Sequence, residues 1–283
     1  MVDENIVCEC AHVLSRSSSV LVITGAGISA ESGVQTYRGA NGLFENTPSL
    51  TYTLTKKNLE GNADSVWKYI DQIRIRLKSC EPNVAHRTLA KWESERRFER
   101  FLIATQNTDG LHLEAGSKAV TQIHGSVWQL ARPKRVAYTE DEQFSSDFSA
   151  ALCDRNNEEL LKRWSEEDNR EVWEDRTVPF QSIPLYLDPA VRPNVLFFGE
   201  LYGNRLLWVE QFIKRPVDCV LVIGCSGGVD ILERLIFQCR LGNAGCSIIN
   251  VNPSDDCITK EHLYLRSTAG AALLSIDKEL SRR

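Results

Sequence analysis

The chain has 283 residues of ordinary globular composition, enough to bury the core of one medium domain or of a large domain with a smaller insert. A net charge of −5 without a basic tail or stripe gives nucleic acid no electrostatic footing, and no run of about 18 apolar residues exists to cross a membrane. The acidic opening MVDENIVCEC lacks a secretory or Arg-rich leader pattern, and nine cysteines without framework spacing point to reduced thiols in a cytoplasmic or nuclear compartment.

Ile6, Val7, Ala11 and Leu14 recur at near-helical spacing and predict an opening amphipathic helix over 4–17. Cys8 and Cys10 lie within it as a lone C-x-C, and no second pair stands at zinc-site spacing. A strand over 20–25 then runs into Gly25-Ala26-Gly27-Ile28-Ser29-Ala30. This is the G-x-G-x-x-G/A pattern of a phosphate-binding turn, where glycine permits close backbone approach and unpaired amides favour an anion. A conventional dinucleotide fold would place a second strand with an acidic end about 20 residues on. Residues 34–60 are instead rich in Gly, Asn, Thr and Ser and read as a long loop, suited to a cofactor lid.

A helix is predicted from Trp67 to Leu77, punctuated by Glu81-Pro82-Asn83, and another over 83–96, capped by Asn83. Short apolar strands follow at Phe101–Gln106, Val120–Ile123, Val195–Phe198, Cys219–Ile223 and Ser247–Asn250, each closing on polar residues. Strands of this kind between helices predict an α/β fold, a Rossmann-like doubly wound parallel sheet with function at the strands' carboxyl ends. Residues 132–190 are dense in charge and Trp, show no strand signal and one helical stretch near 157–165, and read as an inserted lobe. The expected division is therefore 1–42, 82–131 and 190–283 in a nucleotide-binding domain, with 43–81 and 132–189 in the small lobe.

The predicted strand ends carry Thr105-Gln106-Asn107-Thr108-Asp109, then His124-Gly125, Phe198-Gly199-Glu200, Gly224-Cys225-Ser226-Gly227-Gly228 and Asn250. With Gly25–Ser29 and Tyr37-Arg38-Gly39, this series resembles the sirtuin family in order and spacing over nearly all of the chain outside the insert. Ala30-Glu31-Ser32-Gly33-Val34-Gln35-Thr36-Tyr37-Arg38-Gly39 is most similar to the AESGV-x-TFRG of the class III, bacterial and mitochondrial type. Gly224–Asp230 mirrors that type's GTSGVVYPA, departing at Cys225 and Asp230.

The resemblance implies an NAD-dependent protein-lysine deacylase. Gly25, Ala26, Gly27 and Arg38 would hold the pyrophosphate, Ser29, Asn107 and Asp109 the nicotinamide, and Gln106 its ribose. Gly224 and Ser226 would approach phosphate and ribose, Asn250 the adenine ribose, and Ala269 the adenine. His124 would be the general base, its ordinary pKa lying near working pH, with Gln106 and Asn107 beside it in the catalytic set. Val195, Phe197, Phe198, Gly199 and Glu200 fall in the family's substrate segment, where a peptide adds along exposed backbone. His86 and His112 keep an ordinary reading as helix-end or loop hydrogen-bonders.

Two departures carry information. The family's four zinc cysteines would fall between His124 and Arg192, where this chain has only Cys153. Four thiolates cannot come from one cysteine, so no zinc is expected, and Trp164, Trp173 and Phe180 are expected to hold the lobe by packing. Class III enzymes that remove acidic acyl groups use a helical Tyr-x-x-Arg, and ungapped counting puts Ile70 and Ile73 there. Tyr69 and Arg74 are one residue off, about 100° around a helix. An apolar pocket does not offset the desolvation of a carboxylate, so neutral acyl groups are expected to be preferred. The expected partner is an acyl-lysine protein or peptide, with neither nucleic acid nor membrane. The alternatives are a sirtuin-fold NAD glycohydrolase or ADP-ribosyltransferase, and a non-catalytic NAD or ADP-ribose sensor, which would need no base at position 124.

Overall fold

A computed structural model describes residues 2–37, 42–133, 170–174, 192–227, 230–254 and 263–283. Helix α1 (Glu4–Ser15) starts where the Asp3 carboxylate accepts the amides of Asn5 and Ile6. Strand β1 (Ser19–Thr24) follows and is buried at all six positions. Val20 and Val22 enter one apolar cluster while Leu21 and Ile23 enter another, so this unbroken apolar run is a strand covered on both faces.

Five short helices come next: α2 (Leu43–Asn46), α3 (Ser49–Thr53), α4 (Lys56–Gly61), α5 (Ala63–Leu77) and α6 (Val84–Ser94). Then follow β2 (Arg100–Thr105), α7 (Leu111–Glu114), β3 (Val120–Gln122), β4 (Gly125–Pro133), β5 (Arg170–Glu174) and β6 (Arg192–Val195). The remaining elements are α8 (Leu207–Ile213), β7 (Cys219–Ile223), α9 (Ile231–Gly242), β8 (Ser247–Val251), β9 (Leu263–Leu265) and α10 (Ala269–Leu280).

The main sheet has the order β3-β2-β1-β7-β8-β9, with every adjacent pair parallel. Helices α1, α6 and α10 cover one face through residues such as Leu14, Trp92 and Leu273, and α8 and α9 cover the other through Val209, Phe212 and Leu235. Strand order reverses between β1 and β7, the place where such sheets open a crevice beyond the strand ends. A second sheet, β5-β4-β6, is antiparallel and packs with α5 around Trp67, Ile70, Trp128 and Phe197. Among the described residues, no helix is long and apolar enough to cross a membrane.

The α/β, Rossmann-like parallel sheet is as expected, with four differences. The stretch 34–60, read as loop, holds α2, α3 and α4, which are too short for an apolar period to be visible. The strand expected at 195–198 lies at 192–195 and joins the antiparallel sheet, because the Arg192–Val195 segment pairs with β4. The sixth parallel strand is β9, a three-residue segment. Strand β5 also stands inside the span that showed no strand signal and contains Trp173; the helical stretch near 157–165, Cys153, Trp164 and Phe180 fall outside the described residues.

At the reversal point the two glycine turns meet backbone to backbone. The Gly25 amide donates to Ile223 O and the Gly27 amide to Gly224 O, both at 3.0 Å. A Cβ on Gly27 would lie 2.7 Å from Gly224 Cα, and one on Gly224, whose φ is +62°, would lie 2.5 Å from Ile28 N. No side chain fits between them. Gly224→Ala is expected to lower the urea-derived unfolding free energy by about 1–3 kcal/mol. Gly61→Ala, whose Cβ meets nothing within 4 Å, should change it by no more than about 0.5 kcal/mol. Equal costs would show that the turns are not held by this contact.

Candidate active site

The parallel register aligns the ends of the strands. Thr24 pairs with Thr105 and Ile223, Thr105 with Gln122, Ile223 with Val251, and Val251 with Leu265. Residues 25–29, 106–109, 123–125, 224–227 and 252–254 therefore leave the sheet along one rim. That alignment brings most of the sequence-predicted residues together.

Ser29 is the hub. It sits fully buried in the short 3-10 turn Ala26–Ser32. Its hydroxyl donates to Asp109 Oδ2 at 2.7 Å and accepts from Asn107 Nδ2 at 3.1 Å. The Asn107 amide also donates to Gly25 O at 3.1 Å, which ties β2's end to the glycine turn. His86 Nδ1 accepts the Asn83 amide at 3.3 Å, so its proton is on Nε2, which faces Ser29 Oγ at 3.4 Å. His112 Nε2 lies 3.0 Å from Thr24 Oγ1, and the two imidazoles meet edge to face at 4.8 Å.

Burial acts on each ionisable member of this cluster. Burial, reinforced by Arg87, lowers His86 to about 4, and burial with His86 nearby takes His112 well below its ordinary value. Burial also pushes the Asp109 carboxyl up, against the Leu111 amide and Ser29 hydroxyl that bond it. The Trp128 indole donates to the Asp109 carbonyl at 2.6 Å and walls this cluster on the small-lobe side. The result is a buried, hydrogen-bonding floor able to face an amide-bearing aromatic ring.

His124 follows β3 and is partly buried. Its Nδ1 is 2.9 Å from Gln106 O; a carbonyl only accepts, so Nδ1 carries the proton and Nε2 a lone pair. The Tyr202 hydroxyl lies 3.2 Å from Nε2. Burial, with Arg205 adding to it and the Gln106 bond opposing it, lowers His124 to about 4. At neutral pH it is an unprotonated base. Gly125 turns the chain with φ +81°, and a Cβ there would overlap the Asn194 carbonyl.

Across the rim, Gln106 Nε2 lies 3.5 Å from Cys225 Sγ, while Gly224 is partly buried and Ser226 exposed. Asn250 is not at a strand end: β8 runs on to Val251, and Asn250 is enclosed within it at 1% exposure. The strand-end asparagine is Asn252, whose side chain donates to Cys225 O at 2.8 Å. Ala269 is buried at the start of α10, whose N-terminus is taken by Glu31. That carboxylate accepts the Gly270 amide at 2.6 Å and the Thr268 hydroxyl at 3.0 Å. Arg38 and Gly39 lie outside the described residues.

The expected substrate segment has Val195 and Phe197 buried, Phe198 47% exposed and Gly199 at φ +89°. Glu200 pairs with Arg192; burial pushes its carboxyl up, but the Arg192 and Phe197 bonds outweigh this and hold it low. Its backbone is less open than expected. The Phe198 amide donates to Leu54 O and its carbonyl accepts from Lys56 N, at 2.8 and 2.9 Å, while the Leu196 amide donates to His124 O. The small lobe's own chain has taken those groups. In α5, Ile70 is buried but Ile73 only partly so, and it is Arg74 that turns inward at 2% exposure, its guanidinium 5.4 Å over the Trp128 ring. Arg74 is four residues from Ile70 and shares its face. Among the described residues, no group of three or more His, Cys, Asp or Glu is arranged to hold a metal.

Several participants were not foreseen. His86 had a visible signal, standing three residues after the Asn83 cap in a capping box. Tyr202, Cys225, Glu31 and Asn252 act through partners distant in sequence.

Comparison with known proteins places this geometry. The model of the Sir2 family matches residues 25–230. A protein of Aquifex aeolicus (strain VF5) named NAD-dependent protein deacylase is 31% identical over 262 residues, covering 91% of this chain and 93% of its own. A second of that name, from Aeropyrum pernix, is 31% identical over 254 residues, covering 87% and 86%. The crystal structure of a Sir2 homologue–NAD complex shares the fold, with a TM-score of 0.74 at 24% identity over 97% of this chain and 93% of that one.

The three histidines give a pH dependence of definite sign. Each has a folded pKa below the ordinary 6.5, so the unfolded chain binds more protons in that interval. Their stabilising contribution is complete above 6.5 and is lost as pH falls towards 4; the raised Asp109 works the other way. The urea midpoint should fall steadily between pH 7.5 and 5. A midpoint constant over that interval would contradict a neutral histidine set.

Proposed function

The chain belongs to the Sir2 family, and from that premise we propose that it is an NAD-dependent protein-lysine deacylase of the class III type, acting on neutral acyl groups. NAD is here a consumed substrate. The observation that carries the reading is His124: a neutral imidazole with its proton fixed on Nδ1 and its lone pair at the rim where the Ser29 cluster and the glycine turns converge.

In this reading the bare backbones of Gly25, Ala26, Gly27 and Gly224 admit the pyrophosphate, with Arg38 as its cation. Ser29, Asn107 and Asp109 take the nicotinamide amide, and Gln106 its ribose. The adenosine side falls to Ser226, Asn250 and Ala269, with the strand-end Asn252 beside them. The acyl-lysine carbonyl oxygen attacks the anomeric carbon as nicotinamide leaves; His124 Nε2 takes a proton from a ribose hydroxyl, whose oxygen adds to the alkylimidate carbon and expels the lysine amine, and one water then adds to that carbon to give O-acyl-ADP-ribose.

The acyl-lysine peptide lies by Val195, Phe197, Phe198, Gly199 and Glu200, using groups other than those paired with residues 54–56. Ile70 and Ile73 offer the acyl chain an apolar wall, and the guanidinium of Arg74 is engaged on Trp128. One cysteine between His124 and Arg192 does not fit a four-thiolate zinc site, and no step depends on one. Glycohydrolase, transferase and sensor readings are separated from deacylation by their products.

Incubation with NAD and acyl-lysine peptides should yield O-acyl-ADP-ribose and nicotinamide, with His124→Ala reducing the rate about 10²–10⁴-fold. Peptide-independent ADP-ribose as the sole product would identify a glycohydrolase, and no turnover a sensor. Among acetyl-, succinyl- and myristoyl-lysine peptides, succinyl should be the poorest; succinyl as the best substrate would refute the neutral pocket.

A further inference from the structure

Tyr202 follows the substrate segment by two residues, between the fully displayed Leu201 and Gly203, whose φ is +54°. Its ring packs on the core beneath β7, tilted against His124 with centroids 5.7 Å apart. Because Nδ1–H is spent on the Gln106 carbonyl, His124 has one site left for proton transfer, the in-plane lone pair on Nε2. The phenol donates to that lone pair. An sp² nitrogen accepts one good hydrogen bond, so the phenol and a ribose hydroxyl, or a water, compete for the same position.

We propose that Tyr202 is a substrate-displaced plug on the base: its hydroxyl covers His124 Nε2 in the free enzyme and withdraws when a peptide seats on residues 195–200. This rests on His124 being the base. Its purpose follows from what an uncovered base would do beside bound NAD. Water would add to the anomeric carbon as the nicotinamide bond breaks, with the water's proton passing to Nε2 and then to solvent, releasing ADP-ribose and nicotinamide without deacylation. Placement of the phenol directly downstream of the peptide segment joins its withdrawal to peptide arrival. Tyr202 is thus a positioning residue acting through His124. The charged groups facing the pair are Arg205, from the turn Gly203–Leu206, and Asp230 and Arg234 at the start of α9.

The test is Tyr202→Phe, which keeps the ring and removes the donor. Peptide-independent nicotinamide release should rise about two- to tenfold over the unmodified enzyme, with peptide-dependent deacylation retained. A donor to Nε2 favours the neutral ring, so the acid limb of that basal release should move upward by about 0.5–1 pH unit. In ¹⁵N-histidine-labelled protein the His124 Nε2 resonance should shift towards a free imine in Tyr202→Phe. The same shift should appear in the unmodified enzyme on adding acyl-lysine peptide. Unchanged basal release together with an unchanged acid limb would overturn the plug, as would an Nε2 resonance indifferent to the substitution, a readout that needs no activity. Failure of the underlying reading looks different: His124→Ala would then leave deacylation intact whatever Tyr202 does.

Discussion

Two polypeptide turns touching without a side chain between them hold the rest of this molecule in place. The 25–27 turn ends β1 and the 224 turn ends β7, the neighbouring strands at which the sheet's order reverses. Each donates or accepts main-chain bonds that would otherwise go unmet at a strand terminus. Their close approach leaves α-carbons, not side chains, at the crevice, with the Gly25, Gly27, Ile28 and Gly224 amides bonded within the turns and strands. Phosphate oxygens can come within hydrogen-bond reach of such a surface, and a bulky residue at any of these positions would push the strands apart before it obstructed a ligand.

Behind that surface the chain has buried an unusually polar set of groups and kept its histidines neutral. Ser29, Asn107, Asp109 and His86 bond one another in a chain that begins at the Asn83 helix cap, with His112 beside them on Thr24. Ionising any member would cost the desolvation of a charge in a medium that has little water to offer. The same economy applies to His124, whose tautomer is set by a single carbonyl. Site geometry and protonation state are therefore one fact, fixed by which strand end each residue follows.

How much of this could be read from the chain depended on the range of the interaction. The glycine turn, the Asn83 cap and apolar strands such as β1 are local, and they stand where expected. The rim residues 106–109 and 124 were legible because parallel strands of equal register end together. What escaped notice was set by pairing across the fold. Strand 192–195 reads like any buried strand until β4 draws it into the second sheet. Asn250 and Asn252 differ only in whether β8 continues for one more residue, and Arg74 faces inward because α5 begins its packing at Val66, four and eight residues before Ile70 and Arg74. Short helices over 43–61 carry no period long enough to detect.

Glu31 gives the architecture a mechanical asymmetry. Its carboxylate bridges from the phosphate turn to the Gly270 amide in the first turn of the closing helix, and Gly270 has no room for anything bulkier beside it. Drawing the turn and that helix apart would first have to break this bond, whereas the antiparallel sheet and α5 close on an apolar cluster of their own.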